Sequence, residues 1–146
     1  MTVVTMKYRT PRPQGGFAKH TTAWQDLQRA IRMVRNQAKK ENLDPGRIGI
    51  MGSSAGGHLT LMGATSSKQK VSWAIDDLHK ISCKVQWAVA IYPAYALTDG
   101  ANGTNSQGGN PDDARIVPEF AFDLDTCPML FIHGDADGYS PMNSVK

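Results

Sequence analysis

The sequence predicts an α/β domain built on a mostly parallel sheet flanked by helices. Short apolar runs ("VVTMKY", "IGIM", "VQWAVAIYP" and "MLFIH") alternate with stretches that read as helical. Strands alternating with helices imply crossover connections, and crossovers join parallel neighbours. The 146 residues have the size of one domain, with 40% hydrophobic and 20% charged residues, an ordinary globular balance.

Taken in order, Val3–Tyr8 is a short β-branched run, ended by "RTPRPQGG", where two prolines and two glycines demand a loop. A helix follows, with Thr21 or Thr22 placed to cap it. Trp24, Leu27, Ile31, Val34 and Ala38 recur at alternating spacings of three and four, while Gln25, Arg29, Arg32 and Arg35 fall elsewhere. That apolar stripe is expected to cover a sheet. "NLDPGR" (Asn42–Arg47) breaks the helix, and Ile48–Met51 reads as a strand buried on both faces. A second helix is expected to start at Ala55, with glycines where close packing would want them. Lys68–Lys84 is mixed, with "WAIDDLHKISC" partly helical. Val85–Pro93 has the strongest signal of a buried strand, and Met129–His133 is the last strand. Between these two lies a long polar insertion at about 98–126, rich in Gly and Asn, with room for one short helix. Loops of this length are usually functional or mobile. The expectation is therefore a single domain over 1–146, with four strands and three crossovers.

Composition narrows the partners. No apolar run approaches a membrane span, and Met1–Gly16 lacks the basic flank, apolar stretch and cleavage site of a signal peptide. The compartment stays open, a secreted or periplasmic one included. The net charge is +3. Apart from Lys39-Lys40 and a loose set from Lys68 to Lys84 the basic residues are dispersed, with no basic stripe interleaved with aromatics. Neither nucleic acid nor membrane is an expected partner. Cys83 and Cys127 lack metal spacing and are either buried thiols or one bridge.

The chemistry concentrates in "GIMGSSAGGHL". Gly52-x-Ser54-x-Gly56 fits G-x-S-x-G in one register only, since Ser53 lacks the flanking glycines. A tight strand-to-helix turn strains the residue at its tip, and side chains two residues before and after it would collide, hence glycine. Such a turn exposes the Ser54 hydroxyl at the carboxyl end of the sheet. It also aims the first helical N–H groups, notably that of Ala55, at a developing oxyanion. The competing reading is a Gly/Ser turn shaped for packing alone. A serine hydroxyl needs a base, and the base needs an orienting group. "HGDAD" places Asp135 and Asp137 directly after the last predicted strand, where they either supply that group or make a turn with Gly134 and Gly138.

Four stretches together resemble the α/β-hydrolase superfamily: "YRTPRP" with the following helix, "LDPGRIGIMGSSAGGHL", "IDDLHKISCKVQWAVAIYP" and "CPMLFIHGDADGYSP". The resemblance is to its carbohydrate-esterase-like and hormone-sensitive-lipase-like branches. His58 after the double glycine points to the acetyl-xylan and feruloyl esterase-like group. The resemblance implies a partial α/β-hydrolase fold and a serine carboxylic-ester hydrolase acting on acetyl or feruloyl groups of plant carbohydrate, with no metal or organic cofactor. It makes Ser54 the nucleophile, Ala55 an oxyanion donor, Gly52 and Gly56 the elbow glycines, and Asp137, rather than Asp135, the triad acid. The insertion Thr98–Asp125 would contact substrate.

Two departures stand out. The order in this fold is Ser, Asp, His, yet His20, His58, His79 and His133 all precede Asp137. The family's other oxyanion donors belong to a loop before the strand matching Val3–Tyr8, whereas Gly15-Gly16 follow it. His58, one helical turn past Ser54, is a weak substitute base, and a structural role is the default for all four histidines. The simplest account is a fragment of a larger hydrolase whose base lies outside this sequence, with exposed sheet edges that favour self-association. Two alternatives remain: a serine peptidase of prolyl-oligopeptidase type, and a catalytically silent interaction module.

Overall fold

The computed structural model describes residues 1–10, 21–69, 71, 74–93, 97–99, 103–105, 115–116 and 120–137. The apolar stripe forms α1 (Thr21–Gln37), which buries Ala23, Trp24, Leu27 and Ile31. Val34 is half-buried, and Ala38, just past the helix end, is buried. Thr21 is already helical and the buried Thr22 Oγ1 has no hydrogen-bond partner, so Thr22 does not cap the helix.

Two arginines outside the apolar stripe bond to backbone carbonyls. Arg32 is buried because its Nε donates to the Ile81 carbonyl at 3.0 Å. Arg35 donates to the carbonyls of Ser82, of Lys84 at 2.6 Å and of Pro45 at 3.2 Å. Backbone carbonyls outside the sheet ladder need donors, and these long side chains supply them to residues 81–84, which lead into the central strand.

β1 (Gly49–Ser53), β2 (Trp87–Ile91) and β6 (Met129–Ile132) form a parallel sheet in the order β1-β2-β6. α2 (Ala55–Thr65) makes the crossover from β1 to β2, and a 3-10 turn (Asp77–Lys80) lies on the way. Gly63 lets α2 sit against α1 and β1: a Cβ there would stand 2.7 Å from both Ile50 Cδ1 and Leu27 Cδ2. Leu27, Leu59, Leu61, Met62, Ala88 and Ala90 lie in the resulting core. Burying a side chain of this size stabilises by roughly 1.5–3 kcal/mol. Leu27→Ala is expected to cost about 2–5 kcal/mol, read from the denaturant midpoint.

Four expectations need correction. β1 is not buried on both faces: Met51 is 66% exposed, and Trp87, Leu130 and Ile132 on the same side of the sheet are exposed with it. Both helices cover the opposite side. Trp87 instead lies over Gly49, where a Cβ would come within 1.9 Å of the indole. Val3–Tyr8 is not a strand. Val3 and Val4 are exposed and no described strand offers them a ladder, while Met6 and Tyr8 pack on the core. That segment is held by Arg9, whose backbone N–H donates to Asp26 at 2.8 Å and whose guanidinium grips both carboxylate oxygens. Burial opposes ionisation of Asp26, yet these bonds keep its carboxyl below the ordinary carboxylate range. The insertion has no helix among its described residues: β3 (Leu97–Asp99) pairs antiparallel with β4 (Gly103–Asn105) and β5 (Arg115–Ile116). The bridge reading of the cysteines also falls, because Cys83 and Cys127 are both buried free thiols.

Residues 120–126 tie the insertion back to the core. Phe120 is buried and the Ala121 N–H donates to Ser66 Oγ at 3.0 Å. Lys68 pairs with Asp125 and with Asp123 at 3.0 Å, and Lys84 with Asp125 at 2.7 Å. The Lys68 and Lys84 ammonium groups lower the Asp125 carboxyl to about 2. A depressed folded-state value stabilises above the unfolded value of about 3.9 and is lost as pH falls through the folded one. Asp125→Asn is therefore expected to narrow its Tm gap to wild type between pH 5 and pH 2 in calorimetry. Salt will shrink the effect, because the groups are exposed. No helix among the described residues is long and apolar enough to cross a membrane.

Candidate active site

The carboxyl ends of the three parallel strands lie on one edge. β1 stays in register through Ser53, which pairs with Ile91. Ser54 then leaves the strand at φ 52°, ψ −119°, a conformation that non-glycine residues rarely adopt. Its N–H still donates to the Ile91 carbonyl at 3.0 Å, continuing the sheet. Its carbonyl already accepts from the His58 N–H at 3.0 Å, opening α2. One residue thus serves both elements, and Ser54, not Ser53, is at the tip. The Ser54 side chain makes no capping bond to the helix, and the residue is exposed. The hydroxyl is left at the positive end of α2 beside the exposed Ala55, where the first helical N–H groups lack intrahelical acceptors.

The glycines divide the steric work differently from the sequence expectation. A Cβ on Gly52 would lie 2.3 Å from the Gly56 carbonyl oxygen and 2.6 Å from its carbon. A Cβ on Gly56 would meet nothing within 4 Å among the described residues. Gly56 therefore matters through its backbone, which fills the space that a Gly52 side chain would need. The second steric glycine is Gly57, where a Cβ would stand 2.9 Å from Pro93 Cα and 3.0 Å from the Ile91 carbonyl oxygen. It lets α2 approach the end of β2. The pair of adjacent glycines in "AGGH" was the sequence signal for this contact.

The next strand end, after β2, is Tyr92, also at positive φ (34°), with its N–H donating to the Ile132 carbonyl at 2.7 Å. After β6 come His133 and a turn closed by the Asp137 N–H on the Gly134 carbonyl at 3.3 Å. Asp137 is 23% exposed at its side chain, and its Oδ2 lies 3.8 Å from Nε2 of His133, whose imidazole is 2% exposed. Asp135 is exposed.

The fold thus brings Ser54, Ala55 and Asp137 to one sheet edge, with β2 between the first two and the third. The histidines stand otherwise. His58 is buried on α2 with its ring 5.1 Å from that of Phe120. The His133 imidazole is buried beside Asp137. His79 sits in the 3-10 turn before the amino end of β2. His20 and Gly15-Gly16 lie outside the described residues. Among the described residues no group of three or more His, Cys, Asp or Glu could hold a metal ion.

Comparison with known proteins agrees with this architecture. All of residues 1–146 match the family described as BD-FAE. An acetylxylan esterase of Xylanibacter ruminicola is 46% identical over 46 residues, 32% of this chain and 10% of that protein. The acetyl ester-xyloside bifunctional hydrolase of Caldicellulosiruptor lactoaceticus superposes with a TM-score of 0.62 at 26% identity, covering 88% of this chain and 49% of that one. Thermogutta terrifontis esterase 2, phosphonylated by cyclosarin, gives 0.66 at 25% identity, covering 86% and 45%. MGS-M1, an α/β hydrolase from a Medee basin deep-sea metagenome, gives 0.61 at 22% identity, covering 92% and 43%. The chain therefore has a partial α/β-hydrolase fold and spans about half the length of these solved structures.

Proposed function

The chain belongs to the BD-FAE family, and from that premise we propose that it is the nucleophile-bearing part of a serine carboxylic-ester hydrolase acting on acetyl or feruloyl esters of plant carbohydrate. The observation that carries the proposal is the one-residue elbow: Ser54 at φ 52°, hydrogen-bonded into the sheet on one side and into α2 on the other, with its hydroxyl uncommitted to the helix. The acetylxylan esterase and the acetyl ester-xyloside hydrolase support the acetyl-ester part of that reading.

In this reading Ser54 Oγ attacks the ester carbonyl carbon and gives its proton to a histidine base. The Ala55 N–H stabilises the oxyanion at the start of α2. Collapse of the tetrahedral intermediate expels the alcohol, protonated by the base, and water then hydrolyses the acyl-enzyme. Asp137 orients the base. Two strand spacings, about 10 Å, separate β1 from β6, a gap that an imidazole between the two side chains fills. The imidazoles of His58 and His133 are too buried to meet an ester at the exposed Ser54. All four histidines precede Asp137, against the Ser, Asp, His order of this fold, and we assign the base to polypeptide outside the 146 residues. Asp137→Asn in the polypeptide carrying that base is expected to lower kcat on 4-nitrophenyl acetate by about 10²–10⁴-fold. Asp135→Asn should change it less than about threefold. Equal losses at the two positions would move the acid assignment.

The burial of the His58 and His133 imidazoles favours a second reading, a catalytically silent module. Ser54-dependent turnover of 4-nitrophenyl acetate by the 146-residue chain alone would exclude it. Under either reading, the exposed apolar residues on β1 and β6 suit a second copy of the chain. Leu130→Lys together with Ile132→Lys is expected to abolish concentration-dependent association in sedimentation velocity.

A further inference from the structure

Ser54 is one of two strained residues on the active edge. The last registered pairs of the sheet are Ser53 with Ile91 and Ile91 with Ile132. One step further along each strand stand Ser54, Tyr92 and His133. Neighbouring strands lie about 4.8 Å apart, so the Tyr92 backbone is one strand spacing from the nucleophile. Tyr92 holds φ at 34°, a region where a bulky residue is an outlier and glycine is at ease. The surroundings fix it there: its N–H is committed to the Ile132 carbonyl at 2.7 Å, and Pro93 after it is fully buried. Core packing does not account for the phenol, because Tyr92 is 41% exposed. A strained, half-exposed aromatic beside a nucleophile is what a ligand contact retains.

The strand order says which part of the ester it meets. β2 separates the strand of Ser54 from the strand of Asp137. A base oriented by Asp137 reaches Ser54 across the end of β2, and the leaving alcohol takes its proton on that side. Resting on the esterase reading above, we propose that Tyr92 is a specificity-determining residue that contacts the alcohol portion of the ester, a pyranose ring laid against the phenol face.

The test is binding of acetylated xylobiose, measured calorimetrically with Ser54→Ala as the background so that the ester stays intact. Adding Tyr92→Gly, which the backbone accepts without strain, is expected to weaken binding at least fivefold. Adding Tyr92→Trp, which keeps an aromatic face, should stay within about threefold of the background. Circular dichroism confirms the fold of each variant. Equal affinity with and without Tyr92→Gly, or no binding by the background itself, overturns the proposal. Fluorophosphonate labelling of wild-type Ser54 in the polypeptide that carries the base separates the two levels. Labelled Ser54 with an indifferent Tyr92 sinks only this inference; unlabelled Ser54 sinks the esterase reading beneath it.

Discussion

Gly52→Ala is expected to abolish function while Gly56→Ala, four residues away in the same motif, leaves the fold intact. The added methyl at Gly52 would sit 2.3 Å from the Gly56 carbonyl oxygen, 2.6 Å from its carbon and 2.9 Å from Thr60 Oγ1. Two of these obstacles are backbone and cannot rotate away, so the first turn of α2 must shift, and Ser54 with it. Overpacking of this kind costs roughly 1–3 kcal/mol or more, and a displacement of about 1 Å at a reacting atom costs about 10²-fold in rate. At Gly56 a Cβ has open space among the described residues, and alanine in a helix is worth up to about 1 kcal/mol over glycine. Gly56→Ala is thus expected to match or exceed the wild-type denaturation midpoint, with Gly52→Ala well below both. Urea unfolding followed by tryptophan fluorescence checks the order. A Gly52→Ala protein as stable and as active as Gly56→Ala would mean that the turn is looser than described.

The second large effect is at Ser54. In the polypeptide that carries the base, Ser54→Ala is expected to lower turnover of 4-nitrophenyl acetate by at least about 10³-fold, because it removes the hydroxyl that would form the acyl-enzyme. Ser54→Gly should be equally inactive yet more stable, since φ 52° strains serine and suits glycine. A residue that trades stability for chemistry shows this split; a serine serving only the turn would not lose activity.

Much of this arrangement was legible from local patterns. The three-and-four spacing from Trp24 to Ala38 placed α1, since an amphipathic stripe has one way to bury itself. The G-x-S-x-G spacing placed the turn, and the apolar runs at Val85 and Met129 placed its neighbouring strands. What local pattern could not supply depends on what lies across space. Val3–Tyr8 has strand composition, but a strand exists only with a ladder partner. Arg32 lies off the apolar stripe, and it is buried where its Nε donates to the Ile81 carbonyl, far along the chain. Met51 and Leu130 have core composition on a sheet face that neither helix covers. At the site itself, Ser54 was legible because its glycines are adjacent in sequence. Tyr92 was not, because its significance comes from a backbone angle and from the register that sets it beside Ser54.

The central claim, that Ser54 is an activated nucleophile, is tested most directly by treating the polypeptide that carries the base with a fluorophosphonate and mapping the adduct by mass spectrometry. Trypsin leaves residues 48–68 as one peptide, and fragmentation within it separates Ser54 from Ser53, Ser66 and Ser67. A serine hydroxyl reacts only with its base beside it, so labelling is read in the polypeptide that carries that base. The account predicts one adduct, on Ser54, absent from Ser54→Ala. An adduct on another serine, or a chain that reacts no faster than Ser54→Ala, would contradict it.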